Sequence, residues 1–88
     1  MTRRRWPFGW NWELELTPHL LKRMVDRRFT EVHLRTMLER TSGYRKDIMD
    51  GRWIIELRYR KKCWEVIVEP DIEEELLVVI TAYSVPEE

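Results

Sequence analysis

Eighty-eight residues with 43% apolar, 11% aromatic and 36% charged side chains leave room for one hydrophobic core and are too apolar for a disordered chain. Sixteen Lys and Arg balance sixteen Asp and Glu, which removes the overall basic excess that usually marks a nucleic-acid-binding domain. The single Cys63 and the two histidines, His19 and His33, fit neither an internal disulfide nor a zinc spacing, so no metal or other cofactor is expected. The longest aliphatic run, Leu76 to Ile80, is far short of the roughly 20 residues of a membrane span, so no membrane contact is expected. Arg3-Arg4-Arg5 is followed by Trp6-Pro7-Phe8-Gly9-Trp10 rather than by an aliphatic segment, which argues against a signal peptide and for the cytoplasm.

The charge balance is uneven along the chain. Residues 1–46 carry eleven basic and five acidic side chains, and residues 47–88 carry five and eleven. Residues 1–11 read as a basic aromatic arm preceding one domain over 12–88. In the arm, Arg3 to Arg5 stand beside Trp6, Phe8 and Trp10. Such a composition serves single-stranded RNA stacking, but in a small domain it more often fills a core or a dimer interface.

Alternation from Trp12 to Leu16 predicts a first strand, with Glu13 and Glu15 facing water. Thr17-Pro18 is a cap followed by proline at the first helical position, and Leu20, Leu21, Met24 and Val25 then form an apolar stripe, with Leu16 and Leu21 as a staple. Phe29-Thr30-Glu31 repeats the pattern for a second helix that carries Leu34, Met37 and Leu38 inward and ends near Thr41-Ser42-Gly43. Residues 44–49 read as a loop or a short extra strand. Asp50-Gly51 is a hairpin-type turn, and strands follow over 53–59, 63–69 and 76–83, the last apolar enough to be central and covered on both faces. The expected architecture is α+β: a strand, two helices on one face of the sheet, and a three-strand antiparallel meander.

His19, Arg23 and Arg27 recur every fourth residue, which puts them on one helical face with His19 in the first turn. Unpaired amide hydrogens and the dipole attract an anion there, and Arg23 can grip phosphate oxygens in pairs. The same positive influences disfavour an imidazolium, so His19 is suited to accept a proton, as from a ribose 2′-hydroxyl attacking the adjacent phosphorus. A solvated helix face is the plainer reading of this row. Tyr83 is a candidate proton donor or base-stacking group, and Thr81 shares its strand face. Arg52, Arg58 and Arg60 are candidate phosphate ligands near the open sheet face, with Glu56 and Glu65 as competing partners for Arg58 and Arg60. His33 has no visible partner and reads as a surface or packing residue.

Thr17-Pro18-His19, Arg23-Met24, Arg28-Phe29-Thr30 and Thr81-Ala82-Tyr83 resemble the motifs of a family of small bacterial domains of unknown function, number 4258 in its series. The likeness spans about residues 13–84. It implies a RelE-like, barnase-like fold, the group that holds many endoribonuclease toxins of bacterial toxin–antitoxin pairs. By position it nominates His19, Arg23, Thr81 and Tyr83, and it implies RNA as substrate and a protein antitoxin as partner. The alternative is a non-catalytic interaction module that pairs with a protein or a second copy through the Trp-rich arm or a sheet edge.

Overall fold

A computed structural model describes residues 11–86; of the basic aromatic arm, all but Asn11 lies outside the described residues. In chain order the elements are β1 (Glu13–Leu16), α1 (Pro18–Arg27), α2 (Glu31–Glu39), β2 (Thr41–Lys46), β3 (Trp53–Tyr59), β4 (Lys62–Asp71) and β5 (Leu76–Val85). The chain is α+β, with one mixed five-stranded sheet in the order β1-β5-β4-β3-β2. β2 to β5 form an antiparallel meander, and β1 joins β5 in parallel, Glu13 beside Leu76 and Leu16 beside Val79. None of the described helices is long and apolar enough to cross a membrane.

Thr17 starts α1 and also fixes it to the sheet. Its Oγ1 accepts from the Leu20 amide at 3.1 Å and donates to the Ile80 carbonyl at 2.8 Å, so one hydroxyl satisfies an orphan helix donor and a strand acceptor together. The α1 stripe is narrower than the sequence implies: Leu20 and Met24 are buried, whereas Leu21 is 47% and Val25 77% exposed. The helix sits on the sheet by one edge of that stripe, leaving the other in water. It ends at Arg28, which takes the left-handed conformation at φ 58° with its amide toward the Met24 and Val25 carbonyls. That conformation costs an L-residue about 1–2 kcal/mol, and glycine's greater unfolded-state freedom offsets only part of the relief. Arg28→Gly is therefore expected to raise stability by about 0.5–1 kcal/mol in urea unfolding; a loss of stability would show that the cap stores no strain.

α2 opens with a reciprocal cap. Thr30 Oγ1 accepts from the His33 amide at 3.3 Å, and His33 Nδ1 accepts from the Thr30 amide at 3.1 Å, so His33 has the place that Glu or Gln usually takes and does have a partner. The helix stops earlier than the sequence predicts, at Glu39, and Thr41-Ser42-Gly43 begins a strand instead of terminating a helix. Gly43 is not left-handed; among the described glycines Gly51 alone has positive φ, at 85° in the turn between β2 and β3. Pairing of β2 with β3, interrupted by a register shift between Thr41 and Gly43, outweighs helix extension. The meander consequently has four strands rather than three, with residues 41–46 as its edge.

Leu20 and Met24 from α1, Phe29, and Leu34, Met37 and Leu38 from α2 bury against Ile55, Leu57, Val66, Val68, Leu77, Val79 and Ala82. These strand residues alternate, so both helices cover one face of the sheet. Register jumps between Ile67, opposite Thr81, and Val68, opposite Val79, leaving Ile80 as an extra residue. This bulge turns Ala82 inward after Val79 and puts Thr81 and Tyr83 on the helix-free face. β5 is an interior strand between β1 and β4, while β4 takes the central place expected of β5, and only one face of β5 is covered by helices; Thr81, Tyr83 and Val85 are half-buried among neighbouring side chains.

The topology also sorts charge. The β3–β4 turn, Arg60 and Lys61 with Lys62 opening β4, lies at the end of the sheet where Cys63 pairs with Val85, and the β4–β5 turn, with Glu73, Glu74 and Glu75, lies at the end where Leu76 pairs with Glu13. The ten residues of β4 separate the two by about 30 Å. Within a net charge of zero, these two turns thus place opposite charge at opposite ends of the sheet.

Candidate nucleic-acid interface

α1 presents its outer face as an open groove of about 260 Å³, lined by His19, Lys22, Arg23, Asp26 and Arg27. The fourfold spacing of His19, Arg23 and Arg27 does bring them together, and Lys22, three residues after His19, joins them for the same helical reason. His19, Lys22 and Arg27 are exposed, while Arg23 is half-buried. Arg23 Nε is shut off from solvent and has no hydrogen-bond partner among the described residues. A buried guanidinium nitrogen left unmatched is costly and rare in folded proteins. Three cations against one carboxylate, with a helix start beside them, make the groove chemically suited to an anion.

Tyr83 belongs to a different cluster and is not a lining residue of that groove. Its hydroxyl donates to Glu65 Oε1 at 2.6 Å, Arg45 donates to Glu65 Oε2 at 3.0 Å, and Arg45 also pairs with Glu56. The hydrogen bond to Glu65, with burial and the carboxylate's charge, pushes the Tyr83 phenol up to about 12, which makes it a weaker acid. Burial works to raise Glu65, but the hydrogen bonds from Tyr83 and Arg45 outweigh it and hold the carboxyl below its ordinary value. Thr81 lies on the same open face opposite Ile67, its Oγ1 buried and without a hydrogen-bond partner among the described residues.

The Tyr83 contribution to stability is complete below about pH 10, the ordinary value, and is lost as pH rises through about 12; that of Glu65 is present above the ordinary carboxylate range and is lost as pH falls through its lowered value. Ultraviolet difference titration is expected to show a tyrosine step near pH 12, and Glu65→Gln should bring that step down toward the ordinary phenol value. Absence of any tyrosine step near pH 12 in the parent would contradict the Tyr83–Glu65 bond.

The three sheet arginines do not form one groove. Arg52 and Arg60 stand at opposite ends of β3, eight residues apart, or about 26 Å at the usual strand rise. Arg52 is paired with Glu69 at 3.2 Å, Arg58 donates to Cys63 Sγ at 3.5 Å, and Arg60 has left the strand for a left-handed turn position, φ 53°, with its guanidinium 5.2 Å from the Tyr59 ring centre. Glu56 and Glu65 pair with Arg45 instead of with Arg58 or Arg60. Arg45 was masked in the sequence by the ambiguity of residues 44–49; once β2 is a strand, its place opposite Ile54 puts it on the open face. Among the described residues no group of three or more His, Cys, Asp or Glu side chains could hold a metal ion. Comparison with known proteins finds no matching family model, no matching curated protein and no matching solved structure.

Proposed function

We propose that the chain is a small RelE-like endoribonuclease of the toxin type, acting on RNA without a metal and held in check by a protein antitoxin. The carrying observation is the gathering of His19, Lys22, Arg23 and Arg27, with Asp26 as the one carboxylate among them, along a single open groove of α1. A phosphodiester seated there would pair with this cationic row and neutralise it. His19 then takes the proton of the ribose 2′-hydroxyl as the 2′-oxygen bonds to phosphorus, and the bond from phosphorus to the 5′-oxygen breaks. The leaving 5′-oxygen takes its proton from the Lys22 ammonium, which lines the same groove. Tyr83, tied to Glu65 and raised as an acid, is left out of that step. Incubation of the purified chain with RNA and a chelator is expected to give 2′,3′-cyclic phosphate and 5′-hydroxyl ends. Intact RNA, or cleavage that needs added metal, would remove the reading.

The interaction-module reading has its own observation. β2 is an edge strand, and Ile48 and Met49, beyond its end, are exposed apolar side chains, a combination that invites strand addition by another chain. Analytical ultracentrifugation of the parent and of Ile48→Glu/Met49→Glu tests it; a dimer lost on substitution would support it, and a parent that stays monomeric would exclude self-pairing there.

A further inference from the structure

The basic end of the sheet holds four cations that no part of the α1 groove uses. Arg40, the cap residue of α2, and Arg60, in the β3–β4 turn, both place their guanidinium carbons over the Tyr59 ring, at 5.9 and 5.2 Å from its centre. Lys61 and Lys62 line an adjoining hollow of about 400 Å³ with Ser84, Val85 and Pro86. None of the four forms an ion pair among the described residues, and Glu39, the neighbouring carboxylate on α2, does not pair with them there either. The carboxylates nearest along the sheet, Glu56 and Glu65, are both taken by Arg45.

Like charges gathered at one turn repel, and a polyanion relieves that repulsion while releasing its own counterions. A guanidinium already held over an aromatic ring loses less freedom on docking than a free side chain. The acidic β4–β5 turn at the far end of the sheet orients an approaching polyanion toward this end. We infer that Arg40, Arg60, Lys61 and Lys62 around Tyr59 form a second, sequence-independent contact for the sugar–phosphate backbone of single-stranded RNA. The inference rests on the reading of this chain as a protein that acts on RNA, and it adds a site that holds the strand beyond the scissile phosphate. Stretches of strand long enough to reach both sites should bind more tightly than short ones, because the second contact becomes intramolecular.

The test uses fluorescence anisotropy of a labelled oligouridine across a range of salt, with the His19→Ala chain so that bound RNA stays whole. Lys61→Ala/Lys62→Ala, and separately Arg40→Gln/Arg60→Gln, are expected to weaken binding about tenfold and to lower the salt slope by about 1.4, two phosphate contacts at ~0.7 each. In the chain with His19 intact, the same pairs should raise KM and leave kcat unchanged. Unchanged affinity and slope, or no binding by the parent, would overturn the site. Polyglutamate competing as well as RNA would overturn its assignment to nucleic acid. Absence of cleavage, together with salt-dependent binding that maps to these four residues, would sink the catalytic proposal and sustain this one.

Discussion

His19→Ala is expected to lower the rate of RNA cleavage at least 100-fold and to leave urea unfolding unchanged. The size follows from removing a general base, typically worth 10²- to 10⁴-fold. The indifference of stability follows from exposure, since the His19 side chain projects from α1 into an open groove and supports no core residue. Arg23→Ala should slow cleavage comparably, because on the proposed mechanism it deletes the group that meets the phosphoryl oxygens. Tyr83→Phe supplies the contrast. It removes the hydroxyl bound to Glu65 and should leave cleavage within about threefold of the parent, since catalytic acid–base effects exceed that. A Tyr83→Phe chain as inactive as His19→Ala would return the phenol to the reacting group and exclude Lys22 as the donor.

Leu20→Ala should cost about 3 kcal/mol in urea unfolding, while Leu21→Ala costs less than about 1. Leu20 is fully buried at the first turn of α1, three residues after the Thr17 hydroxyl that bridges to Ile80, whereas Leu21 is 47% exposed. Domains of this size have roughly 0.05–0.15 kcal/mol of stability per residue, so the first substitution removes a large fraction of the total. Equal effects at the two positions would mean that α1 is rotated about its axis relative to the arrangement described here.

Much of the architecture was legible because its signals are local. Thr17-Pro18 and Thr30-Glu31 announce helix starts through capping chemistry, and the alternation of 53–59 and the apolar density of 76–83 mark strands. The helix end expected at Thr41 to Gly43 is instead the start of a strand that runs on through residues 44–46, where the sequence allowed either a loop or a short strand; Gly43 is a poor strand former, and β3 offers the segment a partner across a shifted register. The sites were legible to different degrees for the same reason. A four-residue spacing within one helix is enough to assemble His19, Arg23 and Arg27, and it does so. The sheet face depends on which residues meet across strands: the β5 bulge at Ile80 sets the facing of Tyr83, and the β2 edge delivers Arg45 to Glu56 and Glu65. Neither event leaves a mark in the sequence. Arg52, Arg58 and Arg60 look like one row on a strand, yet Arg60 belongs to the turn and Arg52 is matched by Glu69.

The most direct measurement is NMR chemical-shift mapping of the isotopically labelled chain with a single-stranded oligonucleotide that lacks 2′-hydroxyls and so cannot be cleaved. Shifts on the His19 ring and on Lys22, Arg23 and Arg27, with any second group confined to Arg40, Arg60, Lys61 and Lys62 and none at Glu73 to Glu75, are the predicted result. Shifts centred on Tyr83, Glu65 and Arg45, with the α1 groove unmoved, would contradict the claim that this helix face receives the phosphodiester.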